Sequence, residues 1–207
     1  TSAHATNHLL ALTLAARNLA LAEEQGHKTL VAPCAACYSR LATAHHEIAE
    51  DAALGSKVSG IIDRASFRNT VKVQSIAEVL RDGEAAIKEK ATRKLAGLKV
   101  ACYYGCLLVR PAAVTGFDDV EMPSSMETAV AACGATAVDW RMKLECCGGG
   151  FSMSRTASVL RLGRAIIDDA RAAGAHAIAV ACPMCHSNLD FRQSAMSRGD
   201  DGKEMPI

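Results

Sequence analysis

The chain has 207 residues, half of them apolar, enough for one domain of moderate size or two small ones around a packed core. Lys plus Arg number 23 and Asp plus Glu 22, so there is no basic field to hold nucleic acid or an anionic lipid surface. Partners must be recognised locally.

Residues 2–25 carry Leu9, Leu12, Leu14, Leu19 and Leu21 at helical spacing ahead of Gly26, which predicts an amphipathic helix. Its apolar run is broken by Arg17 and Asn18 and falls short of the roughly 20 residues that cross a bilayer, so no transmembrane segment is expected. Residues 29–32 read as a short buried strand running into Pro33-Cys34-Ala35-Ala36-Cys37, with a helix expected over 38–50. Residues 55–60 look loosened by glycine and 61–70 weakly helical. Residues 71–73 are extended, and Ser75 is placed to cap a helix from Ile76.

A polar, helix-prone bridge follows over 82–97, its charges forming a solvated face. Residues 98–104 predict a buried strand that delivers Cys106 through Gly105. After a loop over 111–125 come a helix to Cys133, a strand over 135–140, the pair Cys146-Cys147 with Gly148-Gly149-Gly150, and a helix over 152–173. A strand over 177–181 then feeds Cys182-Pro183-Met184-Cys185.

That last strand, turn and helix repeat residues 26–41. A shift of 148 positions lays Gly26 on Gly174, Cys34 on Cys182, Cys37 on Cys185, Ser39 on Ser187 and Leu41 on Leu189 without a gap. The expected organisation is therefore two tandem repeats, 1–94 and 95–207. Each is an α/β unit with a small, mainly parallel sheet flanked by helices and ligands at the C-terminal ends of strands. The shift sets the counterparts of Cys146-Cys147 and Cys106 ahead of Thr1, so the chain reads as a fragment lacking the front of its first repeat.

Nine cysteines without an export signal point to reduced, metal-binding thiols and a cytoplasmic protein. Five of them belong to the second repeat's motifs: Cys106, Cys146, Cys147, Cys182 and Cys185. A structural zinc or an ordinary 4Fe–4S cluster takes four ligands, so the fifth thiol asks for an iron–sulfur site of unusual shape. Adjacent cysteines face one site only from a turn, which the three glycines supply. Cys182 and Cys34 are expected at helix N-termini, with lowered thiol pKa values. Cys102 and Cys133 read as buried apolar side chains. A zinc site remains the plain alternative, above all for Cys34 and Cys37.

These motifs, together with the stretches 101–111, 32–38 and 2–8, are similar to the CCG cysteine-rich domain family, and within it to the B subunits of heterodisulfide reductase. The resemblance implies a non-cubane 4Fe–4S cluster held by Cys106, Cys146, Cys147, Cys182 and Cys185. It also implies a first, incomplete site at Cys34 and Cys37. It further implies an oxidoreductase subunit that cleaves a small disulfide, the coenzyme M–coenzyme B heterodisulfide of methanogenesis or a related one. Partner subunits carrying flavin and cubane iron–sulfur clusters would deliver the electrons. A fragment with one complete site is expected to bind iron without turning over.

Two other classes compete with that reading. One is a CCG electron-transfer subunit of a flavin-dependent hydroxy-acid oxidase or quinone reductase, and the other is a zinc-stabilised structural module. Candidate catalytic side chains are His186, as a donor or acid beside Cys185, and Arg110, as a partner for an anionic substrate group or an ion pair with Asp118 or Asp119.

Overall fold

A computed structural model describes residues 2–196 of the chain. Helix α1 (His8–Glu24) starts where the Asn7 side chain accepts a hydrogen bond from the Leu10 amide at 2.9 Å. Ser2–Ala5 ahead of it forms a separate 3-10 turn, so the single helix expected over 2–25 is divided at its cap. Strand β1 (Thr29–Ala32) leads into α2 (Ala35–Glu50), with Cys34 as its N-cap residue.

Helix α3 (Ala52–Ile61) corrects the expectation of a loosened 55–60 followed by a weak helix. Asp51 accepts from the amides of Ala53 and Leu54, which starts a helix despite the glycines, and Val58 is fully buried on its inner face. The helix stops before Asp63 and Asn69, both in the left-handed region at φ 54° and 59°. Strand β2 (Lys72–Ser75) pairs in parallel with β1, Thr29 opposite Lys72 and Ala32 opposite Ser75. Ser75 then caps α4 (Ile76–Asp82) through the Glu78 amide, as expected. Helix α5 (Glu84–Lys90) buries no residue, so the charged bridge is a solvated face.

The second sheet is built from β3 (Lys99–Tyr103), β4 (Thr136–Ala137) and β5 (Ala177–Val180), ordered β4-β3-β5 and all parallel. Between β3 and β4 lie α6 (Ala112–Thr115) and α7 (Ser125–Ala132). After β4 come α8 (Thr156–Ala172), α9 (Pro183–Leu189) and α10 (Gln193–Met196), with β5 between α8 and α9. β4 is shorter than the strand expected over 135–140, because the chain turns so that the Trp140 indole donates to the Cys102 carbonyl at 3.1 Å. α8 buries Val159, Gly163, Ile166, Ile167 and Ala170, a stripe at helical period.

The fold is thus α/β, with two small parallel sheets flanked by helices. The main apolar core takes Ala32, Ala35, Tyr38 and Ala77 from the first half and Ala101, Tyr103, Leu108, Ile166, Ile178 and Leu189 from the second. Each fully buried Leu or Ile there contributes about 2 kcal/mol. Polar ties cross the same seam. The Tyr38 hydroxyl donates to the Thr115 carbonyl at 3.0 Å, its ring meets Phe117 edge-on at 5.8 Å, and the Ala35 amide donates to the Ala181 carbonyl at 3.1 Å.

A candidate iron–sulfur site at the tips of parallel strands

Three turns present Cys106, the Cys146-Cys147 pair and Cys182 with Cys185, and each is fixed by the strand or helix beside it. β3 passes through Tyr104 and Gly105 into Cys106. Gly105 takes φ +66°, a conformation glycine adopts without strain, and a side-chain carbon there would sit in ordinary contact with the Tyr103 ring and Cys185 Sγ, so the Cys106 turn runs close beside Cys185. The amides of Tyr104 and Gly105 both donate to the Lys143 carbonyl, at 2.9 and 3.0 Å, which ties that turn to the segment entering Cys146.

Asp169 on α8 anchors this segment in turn. Its carboxylate accepts from the amides of Arg141 and Met142 at 3.0 and 3.2 Å and from the Arg141 guanidinium at 2.9 and 2.6 Å. Gly148, at φ +77°, then reverses the chain against Val159 and Leu162 of α8, and Gly149–Phe151 forms a 3-10 turn. Cys182 is the N-cap residue of α9, with Pro183 in its first turn.

The sulfurs of these turns form a continuous string. Cys147 and Cys185 Sγ are 3.4 Å apart, Cys106 interacts electrostatically with Cys146, and Cys185 with Cys182. Cys182 meets Cys34 at 3.9 Å, and Cys37 lies three residues on from Cys34, in the first turn of α2. Cys147, Cys182 and Cys185 are buried, whereas Cys37, Cys106 and Cys146 are exposed. Among the described residues, no three His, Cys, Asp or Glu close around a single point as a one-ion site would require.

Charge is distributed unevenly along the string. The Cys146 thiol is held down at about 6 by the hydrogen bond from Cys106 and, against the effect of burial, by the amides of Gly148 and Gly149; the Gly148 nitrogen lies 3.3 Å from its sulfur. Cys182 is held at about 5 by Cys185 and by the amides of Cys185, Ala36 and Met184. Cys147 is lowered by Cys185 and Asn188. Cys106 is pushed up instead, by neighbouring Cys146 and by burial, and Cys185 by neighbouring Cys147 and Cys182 and by burial. Cys34 departs from expectation: burial, aided by the Cys182 thiolate, pushes it up to about 11, although it caps a helix just as Cys182 does.

The family model that matches the chain, over residues 2–42 and 100–190, is that of the cysteine-rich domain CCG. The chain belongs to the CCG cysteine-rich domain family. The two matched stretches contain every thiol of the string. Among its relatives is the 8-methylmenaquinol:fumarate reductase membrane anchor subunit of Wolinella succinogenes. It is 32% identical over 98% of this chain and 71% of that protein. The B subunit of the ferredoxin:CoB-CoM heterodisulfide reductase of Methanosarcina mazei is 33% identical over 90% of this chain and 63% of its own length. A protein of Archaeoglobus profundus that is itself like the heterodisulfide reductase B subunits matches at 33% over 66% and 48%. This CCG chain therefore spans about two thirds of the first two of these relatives.

The remaining candidates of the CCG chain take these positions. Cys102 is fully buried and its thiol is pushed up to about 12 by burial, in keeping with a core side chain, and the Cys133 carbonyl accepts from the Leu95 amide. His186 lies on α9, its Nε2 3.3 Å from Asp190 Oδ2 and its ring edge-on to Phe191 at 5.7 Å. Arg110 binds the Val120 carbonyl at 2.9 Å and Glu121 at 2.7 Å, so its ion-pair partner is Glu121, not Asp118 or Asp119. Those two aspartates accept backbone amides of their own loop instead.

Sequence reasoning missed Asn188 and Asp169. The first sits three residues after Cys185 on the same helix, a spacing that shares a face and was available as a signal. The second is one acid among many on α8, and only the fold brings it to Arg141. In the described residues no helix is long and apolar enough to cross a membrane.

Proposed function

We propose that this chain is an iron–sulfur redox subunit of a heterodisulfide reductase-type complex. In this reading a non-cubane 4Fe–4S cluster is held by Cys106, Cys146, Cys147, Cys182 and Cys185, and a small disulfide is reduced there. The observation that carries the reading is that three separate turns bring these thiols into one neighbourhood, with Cys147 and Cys185 Sγ 3.4 Å apart and Cys106 and Cys182 interacting electrostatically with Cys146 and Cys185. The donor set suits the group, since soft thiolates supported by backbone N–H groups are what such clusters require. When bound, the cluster supplies electron storage.

The chain's own residues do the rest. Gly148 donates to the Cys146 sulfur, and the Ala36 amide of the first repeat supports Cys182. The exposure of Cys106 and Cys146 leaves one side open to a substrate. The repeats 1–94 and 95–207 are the working units, with Cys34 and Cys37 belonging to the first. Flavin-containing and cubane iron–sulfur subunits would supply electrons in the cytoplasm, where the thiols stay reduced. Arg110 and His186 are the side chains we assign to substrate contact and proton supply.

The test is anaerobic reconstitution with iron and sulfide. About four irons per chain, with visible absorption and an EPR signal that Cys146→Ser removes, support the assignment. About two irons, or a chain that retains zinc and stays spectroscopically silent, refute it.

A second reading, an electron conduit in a quinol-linked reductase, is favoured by the Wolinella relative, which aligns over 98% of the chain. Oxidation of the reduced, reconstituted protein by a small disulfide but not by a quinone separates the first from the second.

A further inference from the structure

The string of thiols contains one buried polar side chain whose role the proposed function leaves open. Asn188 on α9 is 1% exposed. Its Nδ2 lies 3.4 Å from the Cys147 carbonyl oxygen and 3.6 Å from Cys147 Sγ, and its Oδ1 accepts from the Ser152 hydroxyl at 3.0 Å. The same hydroxyl lies 2.9 Å from the Gly149 carbonyl and shares its one proton between the two acceptors, which places the clamp against the glycine turn.

The orientation of the amide follows from its neighbours. Reversed, its oxygen would face the Cys147 carbonyl, acceptor against acceptor in a buried site, whereas the orientation present satisfies both ends. The first repeat has no counterpart, because the shift of 148 positions sets Arg40 where Asn188 stands.

We infer that Asn188 is a positioning residue for the second cysteine site: its amide donates to the Cys147 sulfur and raises the reduction potential of the iron–sulfur centre held there. The inference rests on that centre being the one proposed above. A hydrogen bond to a ligating sulfur stabilises the more negative, reduced state, and such bonds are among the factors that set cluster potentials.

The test compares the reconstituted parent chain with Asn188→Leu, close in size but without a donor, and Ser152→Ala, which keeps the amide and removes its clamp. Iron is counted, and the potential is read by EPR-monitored titration. Asn188→Leu is expected to retain iron and to shift the one-electron equilibrium about tenfold toward the oxidised form, which is 59 mV. Ser152→Ala shifts it less, in the same direction.

A purely structural role would lower iron content without moving the potential of the loaded fraction. Loaded variants at the parental potential overturn the inference and leave the cluster assignment standing. A parent that takes up no iron removes both. Should Asn188→Leu not fold, an unchanged potential in Ser152→Ala is sufficient to overturn the inference.

Discussion

Asp169→Ala is expected to destabilise the iron-free chain by about 3 kcal/mol at neutral pH, most of it through two backbone amides. The carboxylate is 9% exposed and accepts from the amides of Arg141 and Met142 as well as from the Arg141 guanidinium. Because the Arg141 side chain is 88% exposed, its ion pair is screened and contributes at most about 1 kcal/mol. Each amide bonded to a charged acceptor is worth about 1.5 kcal/mol. Asp169→Asn keeps one acceptor and should lose about half as much.

The pH dependence fixes the mechanism. Burial alone would raise this carboxyl, but the Arg141 side chain and the two amides outweigh it and hold the pKa below the ordinary 3.8. A depressed folded-state pKa stabilises above the unfolded value and is lost as pH falls through the folded one. The gap between parent and Asp169→Ala should therefore be full at pH 7 and shrink only in the acid range below 3.8. Urea denaturation at several pH values measures it. A gap under about 1 kcal/mol at neutral pH, or one that widens on acidification, would refute the reasoning.

Gly148→Ala should cost about 1–3 kcal/mol and reduce iron uptake. The residue sits at φ +77°, and a Cβ would lie 3.3 Å from both Val159 Cγ2 and Leu162 Cδ1, so denaturation and iron counting on one preparation check both effects. Tyr38→Phe should lose about 1 kcal/mol in urea titration by leaving the Thr115 carbonyl without its donor. Cys102→Ala should cost about 1 kcal/mol as a small core cavity while leaving iron stoichiometry at the parental value, in contrast to Cys146→Ser.

What could be read from the sequence was what repeats locally. β5 declared itself as a continuous apolar run and β3 as one that begins at Lys99, α8 by its period, and the shared register of Cys34 and Cys182 by a gapless shift. What could not be read depends on contacts distant in sequence. Gly55 and Gly60 look like breakers until the Asp51 cap is seen to start α3, and β4 looks longer until Trp140 is seen to reach the Cys102 carbonyl. The lowered thiol of Cys182 was legible from its place ahead of a helix, whereas the raised thiol of Cys34 was not, since it depends on burial and on the neighbouring Cys182.

The two C-x-x-C turns carry the same motif and yet are not equivalent, and their contact shows why. The Ala35 amide of α2 donates to the Ala181 carbonyl, but the reciprocal position is Pro183, which has no N–H to return. The Ala36 amide, also in the first turn of α2, contributes to lowering Cys182, so α2 helps stabilise that thiolate. Cys34, 3.9 Å away, then faces a neighbouring negative charge as well as burial, and keeps its proton. Two helix N-termini aimed at one pair of sulfurs thus favour charge on one of them. Cys182 is the one favoured, by Cys185 and by the amides of Cys185, Ala36 and Met184.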